Sequence, residues 1–504
     1  MRKFFLAAAG LVLIVLLVIS CSSLFSTRGD KYCQQAMRFE GHGNYPKALE
    51  YFNLARTAYR QEKNCCLGRE CCAGYWRAQK VMLSYPHSLE AVRRLITQSY
   101  PKISQARIDQ VIKDNRIDNL TMGGKKYYFA DLLNTLYHLY PDFRASQQGT
   151  ALGKGQDPLK LLLALLKQQA AGPADKTFFM PATYLASGRA VLKRAELPAA
   201  GTFKIWIPLP IATAAQDNIK IVAIEPAKYV KGPFLTSGDI GLAYLEVPLD
   251  TLKNDLKIEA RYEFRHFAQR FKIDPAKVGS YDRNSQLYRR YTRSARNIIF
   301  DAGIRDTARK VVAGEKNPYL AAQKLYYYVV EQINYSFMPH LALEVLKVPE
   351  SIYVHRHRFG DCGAQSIYFA ALCRSLGIPA RCPGGLQTFP IGQRGAGDHF
   401  WAEFYLPDYG WIPVDTSVGQ LVRYYPGLSK SERQAYMAYF FGGQDNCRWQ
   451  IQNDVDVPLT PEPAEPLFFA MALQAPTAVC DTMPESAGKL LGERWVWTAK
   501  KLNK

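Results

Sequence analysis

The sequence predicts an α+β protein with a helical N-terminal region, an antiparallel β sandwich in the middle, and a mixed helix-and-strand core after it. Three observations lead to this fold class. Apolar residues recur at helical spacing from about residue 30 to residue 171. Short strand-like runs with turn residues between them follow, including Phe203–Pro210. A cysteine preceded by glycine then opens another helical pattern, and two aromatic strand patterns come after it.

A chain of 504 residues is long enough to build several cores, and the changes of pattern suggest five regions. We expect a signal segment, a helical region, a β sandwich, a core that carries the chemistry, and a C-terminal extension with a proline-rich stretch that could cover the core. Their boundaries are 1–20, 21–172, 173–267, 268–420 and 421–504.

The first residues are typical of an exported lipoprotein. A basic head, Met1-Arg2-Lys3, precedes an apolar run that ends in Val18-Ile19-Ser20-Cys21. This pattern predicts cleavage before Cys21 and lipidation of that residue, which would anchor the chain to a membrane. The alternative is a single membrane-spanning anchor, for which the run is near the short limit. Both place the body in the cell envelope, and Ser22 would suit the outer membrane or its periplasmic face in a Gram-negative source.

The net charge of +20 favours anionic surroundings such as phospholipid, although a solvated basic surface is the simpler interpretation. The basic residues do not form a pattern typical of nucleic-acid binding, so we expect no nucleic-acid partner. Residues Gly43–Ala55 look like part of a tetratricopeptide helix pair. One such pair is too short for a solenoid, and we expect it to pack as a helical cap or to dock a protein partner.

Several of the 11 cysteines are crowded into the helical region. In an exported chain, disulfides explain such crowding better than a metal site does, and we expect two bridges there. We also expect a bridge between Cys447 and Cys480. The residues of the helical region concerned are Cys33, Cys65, Cys66, Cys71 and Cys72.

The run Gly360–Arg381 places Cys362 where a helix should begin, with Asp361 as its cap. Unpaired backbone N–H groups and the positive end of the helix dipole favour a thiolate at that position. The same N–H groups could receive an oxyanion. We therefore expect Cys362 to be a nucleophile. Cys373, on the same helix, is expected to be a small buried apolar residue.

Two strand patterns supply partners for this thiol. His399 opens an aromatic strand, and Asp415 ends a second strand after a short turn at Pro407–Gly410. A hairpin of this length could bring Asp415 close to His399. The three residues would then form a nucleophile, a base and an orienting carboxylate.

In these blocks the chain resembles the transglutaminase-like superfamily. The matching blocks are Gly360–Cys362 with Leu372–Arg381, the strand His399–Glu403, and Trp411–Asp415, in the family's order. The resemblance implies a papain-like fold for residues 268–420 with a Cys-His-Asp site made of Cys362, His399 and Asp415. That site would act on amide bonds of a protein or peptide through a thioester.

The resemblance leaves the acyl acceptor open. We expect hydrolysis, by a peptidase or amidase, rather than protein cross-linking, because nothing in the sequence resembles the calcium loop of calcium-activated cross-linkers. Peptidoglycan stem peptides are one possible substrate, and a non-catalytic envelope scaffold is the alternative from another class. We expect no cofactor and no metal, since His355 and His357 lack further ligands in register.

Overall fold

The computed structural model describes residues 27–61, 69–146, 158–173, 175–388, 396–424, 427–483 and 486–502. Cys21, the signal segment, Cys65 and Cys66 lie outside these residues. The chain divides into two compact units. One contains the described residues up to Leu132 together with Pro339–Leu346, and the other contains Leu133–Met338 and Lys347–Lys504.

The helices of the described residues are numbered in chain order. They are α1 Arg28–Gly41, α2 Tyr45–Gln61, α3 Arg69–Ser84, α4 Leu89–Ser99, α5 Gln105–Lys113, α6 Leu132–Leu139, α7 Pro141–Ser146, α8 Pro158–Ala170, α9 Gln286–Tyr291, α10 Ala302–Val312, α11 Pro318–Gln332, α12 His340–Leu346, α13 Glu350–His357, α14 Cys362–Ser375, α15 Thr416–Gly419, α16 Lys430–Tyr439 and α17 Ser486–Arg494.

The strands are numbered in the same way. They are β1 His87–Ser88, β2 Asn119–Met122, β3 Lys125–Tyr128, β4 Phe178–Leu192, β5 Thr202–Leu209, β6 Gln216–Glu225, β7 Val230–Leu235, β8 Gly241–Pro248, β9 Leu256–Arg270, β10 Asn334–Tyr335, β11 Phe359–Gly360, β12 Ala380–Arg381, β13 Gly384–Gln387, β14 Gly397–Phe400, β15 Ala402–Leu406, β16 Gly410–Val414, β17 Gly443–Gln444, β18 Arg448–Gln452, β19 Thr477–Cys480 and β20 Val496–Leu502. None of the helices in the described ranges is long and apolar enough to span a membrane.

The first unit is helical, as predicted. Thr27 and Asp30 form a reciprocal capping box that starts α1, because each side chain accepts from the other's backbone N–H. A disulfide joins Cys33 on α1 to Cys71 on α3. One of the two expected bridges is therefore present, and it ties the first helix to the third. The Gly123-Gly124 pair turns between β2 and β3 with positive φ at both residues, which glycine adopts at little cost.

The second unit contains two antiparallel sheets around one apolar core. One sheet has the order β17-β9-β4-β20, with β6 also paired to β9, and the other has the order β19-β5-β8-β7. Strands from residues 443–502 therefore complete both sheets of the β sandwich. The shared core includes Phe203 and Trp206 from β5, and Phe264 from β9.

The expected Cys447–Cys480 bridge is wrong, since both thiols are buried and unbridged. Cys447 directly precedes β18, which pairs with β13, whereas Cys480 ends β19, which pairs with β5. The two residues belong to strands of different sheets. The positions of the two cysteines in the sequence do not indicate that the neighbouring strands belong to different sheets.

The sheet β14-β13-β18 connects the sandwich to the core that carries the predicted site. Strand β13 lies in the middle, with β14 on one side and β18 on the other. Leu386 of β13 and Trp449 and Ile451 of β18 are fully buried in the same apolar core as the two sandwich sheets. The position of β14 is thus set by packing within the sandwich.

Candidate active site

Cys362 is the first residue of helix α14. Asp361 caps the helix by accepting from the N–H of Ala364 over 3.0 Å, as the sequence predicts. Nearly every following residue of this helix is buried, which explains why its apolar pattern runs around the whole helix. The helix is a central core element, and the thiol stands at the end where its first N–H groups have no helical partners.

His399 lies on β14 opposite Gly385 of β13. A Cβ atom at Gly385 would lie 1.9 Å from the carbonyl oxygen of Trp449 on β18, so only glycine allows β18 to approach this closely. On the other side, the Gln474 side chain donates to the carbonyl oxygens of Gly385 and His399 over 2.7 Å and 3.1 Å. These contacts hold the backbone that carries the imidazole.

Asp415 follows β16 and comes next to His399, as the hairpin length predicts. The β15–β16 hairpin pairs Ala402 with Val414, which places Asp415 level with the start of β15. His399 Nε2–H donates to Asp415 Oδ2 over 2.8 Å, and both side chains are buried. Because a carboxylate can only accept, Nε2 carries the hydrogen and Nδ1 is left to accept a proton.

Cys362 and His399 line one cavity of about 170 Å³. Cys362 as a residue is half-buried. The cavity contains both polar and apolar groups beside the thiol, as expected for a small binding site. Its other lining residues are Tyr335, Gln387, Gly397, Asp398, Ser417, Val418 and Leu421.

The electrostatics of Cys362 differ from the prediction of a ready thiolate. Burial raises the pKa of the Cys362 thiol, and the nearby carboxylates of Asp361 and Asp415 raise it further. Hydrogen bonds from the backbone of Phe400 and Gly363 lower the pKa but do not offset the effect of burial. The resting site therefore holds a protonated thiol, which needs a base for its activation.

Asp415 is ionised although it is almost completely buried. Burial alone would raise its pKa, but the charge and hydrogen bond of His399, the charge of Arg448 and the N–H of Val418 together hold the pKa of Asp415 well below its usual range. Arg448 donates from Nη1 to Asp415 Oδ2 over 2.9 Å. Oδ1 accepts from Val418 N–H over 3.0 Å and from the Ser417 hydroxyl over 3.3 Å.

Sequence reasoning missed Arg448, Asp445 and Gln474. Arg448 is fully buried and also binds Asp445 through Nη2. The resemblance ends at Asp415, and an arginine between a cysteine and a tryptophan in a strand looks like any edge residue. The spacing of Asp445 and Arg448 three residues apart was a weak signal for a charge pair.

The two histidines considered as metal ligands, His355 and His357, lie on helix α13. His355 Nδ1 contacts the Tyr368 hydroxyl at 3.0 Å, and His357 Nδ1–H donates to the carbonyl oxygen of Tyr353 at 3.0 Å. Within the described ranges, no three His, Cys, Asp or Glu side chains lie together as ligands for one metal ion would.

Comparison with known proteins relates part of this chain to a family. Residues 305–416 match the family model of the transglutaminase-like superfamily. An uncharacterized protein from Haemophilus influenzae is 24% identical over 294 residues, which cover 52% of this chain and 77% of that protein.

Two similar solved structures come from other bacteria. One is a protein from Cytophaga hutchinsonii described as a candidate cysteine protease, with 12% identity and a TM-score of 0.40 over 65% of this chain and 93% of that one. The other is the periplasmic domain of TgpA from Pseudomonas aeruginosa, with 15% identity and a TM-score of 0.24 over 49% of this chain and 98% of that one.

The raised pKa of Cys362 predicts the pH dependence of its alkylation in the protein without substrate. Only the thiolate reacts, so the rate constant for iodoacetamide should rise about tenfold per pH unit between pH 6 and pH 8. Mass mapping of the alkylated cysteine measures the rate, and unfolded protein provides the ordinary thiol as the control. A pH-independent rate equal to that of a fully formed thiolate would contradict this account of the resting site.

Proposed function

Starting from a transglutaminase-like core at residues 305–416, we propose that this protein is a thiol enzyme that cleaves amide bonds of a protein or peptide substrate by acyl transfer. Cys362 is the nucleophile, His399 the base and acid, and Asp415 the group that orients the imidazole. The observation that carries the proposal is the buried hydrogen bond of 2.8 Å between His399 and Asp415, beside a thiol in the same cavity.

The proposed reaction has two stages. His399 Nδ1 takes the proton of the Cys362 thiol while Sγ attacks the carbonyl carbon, and the resulting oxyanion is received by the N–H groups at the start of α14. His399 then gives the proton to the leaving amine, the C–N bond breaks, and a thioester remains on Cys362. Water deprotonated by His399 cleaves the thioester, which releases the acid and restores the thiol.

Asp415 serves both stages through His399. Its Oδ2 fixes the hydrogen on Nε2 and therefore leaves Nδ1 free to exchange a proton with the thiol and with the leaving amine. Its negative charge stabilises the imidazolium that forms in each stage. Because the thiol is protonated at rest, the base is needed at the moment of attack.

We propose water as the acyl acceptor, because nothing in the sequence resembles the calcium loop of calcium-activated cross-linkers. We also propose that the protein is exported and anchored through Cys21, so that its substrate is a protein or peptide of the cell envelope. The competing function is a non-catalytic scaffold that docks a partner at the α1–α2 helix pair. Cys362→Ala separates the two, because a scaffold would keep its biological effect without the thiol.

Substitution of the orienting carboxylate should lower turnover strongly. In Asp415→Asn, the amide can donate to Nε2, which favours the imidazole tautomer with hydrogen on Nδ1, so kcat on a peptide ester substrate should fall by about 10²–10⁴. Steady-state kinetics with a thermal-unfolding check on each variant measures this loss. Cys362→Ala provides the zero level, and an Asp415→Asn enzyme as fast as the wild type would contradict the assigned role.

One carboxylate on the cavity wall suggests what the substrate carries. Asp398 lines the cavity next to His399, and it forms no hydrogen bond or ion pair within the described residues. Although Asp398 is exposed to solvent, partial desolvation at the cavity raises the pKa of its carboxyl group, and a cationic group of a ligand would favour the ionised form. We propose that Asp398 receives an ammonium group near the scissile bond.

Asp398→Asn should therefore raise KM about tenfold for substrates with an ammonium group beside the scissile amide, with kcat little changed. Acetylation of the same ammonium group should have a similar effect on the wild type and little further effect on the variant. Asp408→Asn, an exposed carboxylate on the β15–β16 turn, is the matched control. Equal KM changes for charged and acetylated substrates would argue against this role.

A further inference from the structure

The site contains a buried cation, Arg448, that is not one of the three residues of the proposed mechanism. Arg448, the first residue of β18, has a side chain with no solvent exposure. Its guanidinium donates to Asp415 on one side and to Asp445 on the other. It also lies over the Trp401 ring, with 5.2 Å from the guanidinium carbon to the ring centroid.

These groups form a chain of alternating charge. Asp445 carries a negative charge, Arg448 a positive one and Asp415 a negative one, and His399 becomes positive when it takes a proton. Asp415 Oδ2 accepts from both Arg448 and His399, at 2.9 Å and 2.8 Å, so the two compete for the same oxygen. The cation therefore offsets part of the charge that would stabilise an imidazolium.

Three other titratable groups that face this chain are neutral. Burial and the charge of Arg448 lower the pKa of His266, on β9, to about 3. Burial raises the pKa of Tyr439, on α16, and raises that of Cys447 to about 12. Within the described residues, two further carboxylates lie near the thiol: Asp361, which caps α14, and Asp398, which lines the same cavity as Cys362.

Resting on the proposed function, we propose that Arg448, held by Asp445, is a positioning residue that fixes Asp415 and offsets part of the negative charge that Asp415 presents to His399, which restrains proton transfer from the Cys362 thiol. The C-terminal strand β18 is then part of the active site, although it lies beyond the matched segment 305–416. Strand β13 provides the link, because Gln387 pairs with Gly397 on β14 and with Arg448 on β18.

Two substitutions of this charge chain should act in opposite directions. Arg448→Met removes the cation, which strengthens the stabilisation of imidazolium by Asp415 and should raise the Cys362 alkylation rate at pH 7 roughly tenfold. Asp445→Asn leaves Arg448 without its second carboxylate, and the same rate should fall by a few fold. A merely structural role of the pair would predict the same direction for both variants.

The test measures iodoacetamide alkylation of Cys362 by mass mapping at pH 7, on protein shown to be folded by its thermal unfolding. In Arg448→Met combined with His399→Ala, the acceleration should disappear, whereas general loosening around the thiol would preserve it. Arg448→Lys keeps the charge and should react at close to the wild-type rate. If Arg448→Met does not fold, the double variant Arg448→Met/Asp445→Asn replaces it, because it removes one buried charge of each sign. The same acceleration is expected.

Arg374→Met is the matched control for the loss of a buried ion pair. Arg374 donates to Asp454 over 2.8 Å with side-chain exposures of 2% and 11%, and it lies near the other end of α14, about 18 Å from Cys362 by helix rise. In Arg374→Met, Cys362 should be alkylated at the wild-type rate. An equal acceleration in Arg374→Met, or equal signs for Arg448→Met and Asp445→Asn, would overturn the inference.

These outcomes are separable from those of the proposed function because alkylation uses no substrate. Opposite shifts in Arg448→Met and Asp445→Asn, together with failure to acylate Cys362, would leave the charge coupling intact and refute the enzyme. Acylation of Cys362 without the opposite shifts would do the reverse.

Discussion

A carboxylate with almost no solvent exposure must be compensated from within the protein, and Asp415 is such a group. Removing an ion from water costs several kcal/mol unless charges and hydrogen bonds replace the water. Asp415 uses both oxygens: Oδ1 accepts from Val418 and Ser417, and Oδ2 accepts from His399 and Arg448. The imidazole is thereby held as one of a complete set of partners, and its orientation follows from the needs of the buried charge.

Satisfying this carboxylate brings together segments that are far apart in the chain. His399 lies on β14, Asp415 caps α15 and Arg448 begins β18. Strand β13 pairs with both β14 and β18. The close approach of β18 at Gly385 is possible only because that residue has no side chain. Trp449 and Ile451 pack in the sandwich core, and this packing fixes the position of β18 and of Arg448 at its start. The geometry of the candidate site therefore depends on the packing of the β sandwich.

Much of this arrangement could be predicted, because its signals are local. A glycine-flanked cysteine at a helix start, a histidine at the start of an aromatic strand and a short turn between two strands are patterns of neighbouring residues. They predict the helix start, the strand and the hairpin that the structure shows at Cys362, His399 and Asp415. The bridge from Cys33 to Cys71 is one of the two disulfides that the crowding of cysteines in the helical region predicts.

What could not be predicted depends on pairing between distant segments. Arg448 acquires its role only when β18 pairs with β13, and Cys447 and Cys480 are separated by strand pairings that their spacing does not encode. The protonation state of Cys362 has the same origin. The helix dipole is visible in the sequence, whereas the burial and the nearby carboxylates that outweigh it appear only in the folded protein.

Acylation of Cys362 tests the central claim most directly. Folded protein would be mixed with a 4-nitrophenyl ester of an acylated amino acid, and intact mass, peptide mapping and hydroxylamine sensitivity would locate and identify any adduct. The account predicts a hydroxylamine-labile thioester on Cys362 that forms with a burst of 4-nitrophenolate, slows strongly in His399→Ala and is absent from Cys362→Ala. No adduct on Cys362, or one that forms equally fast without His399, would contradict an enzyme built on this thiol and imidazole.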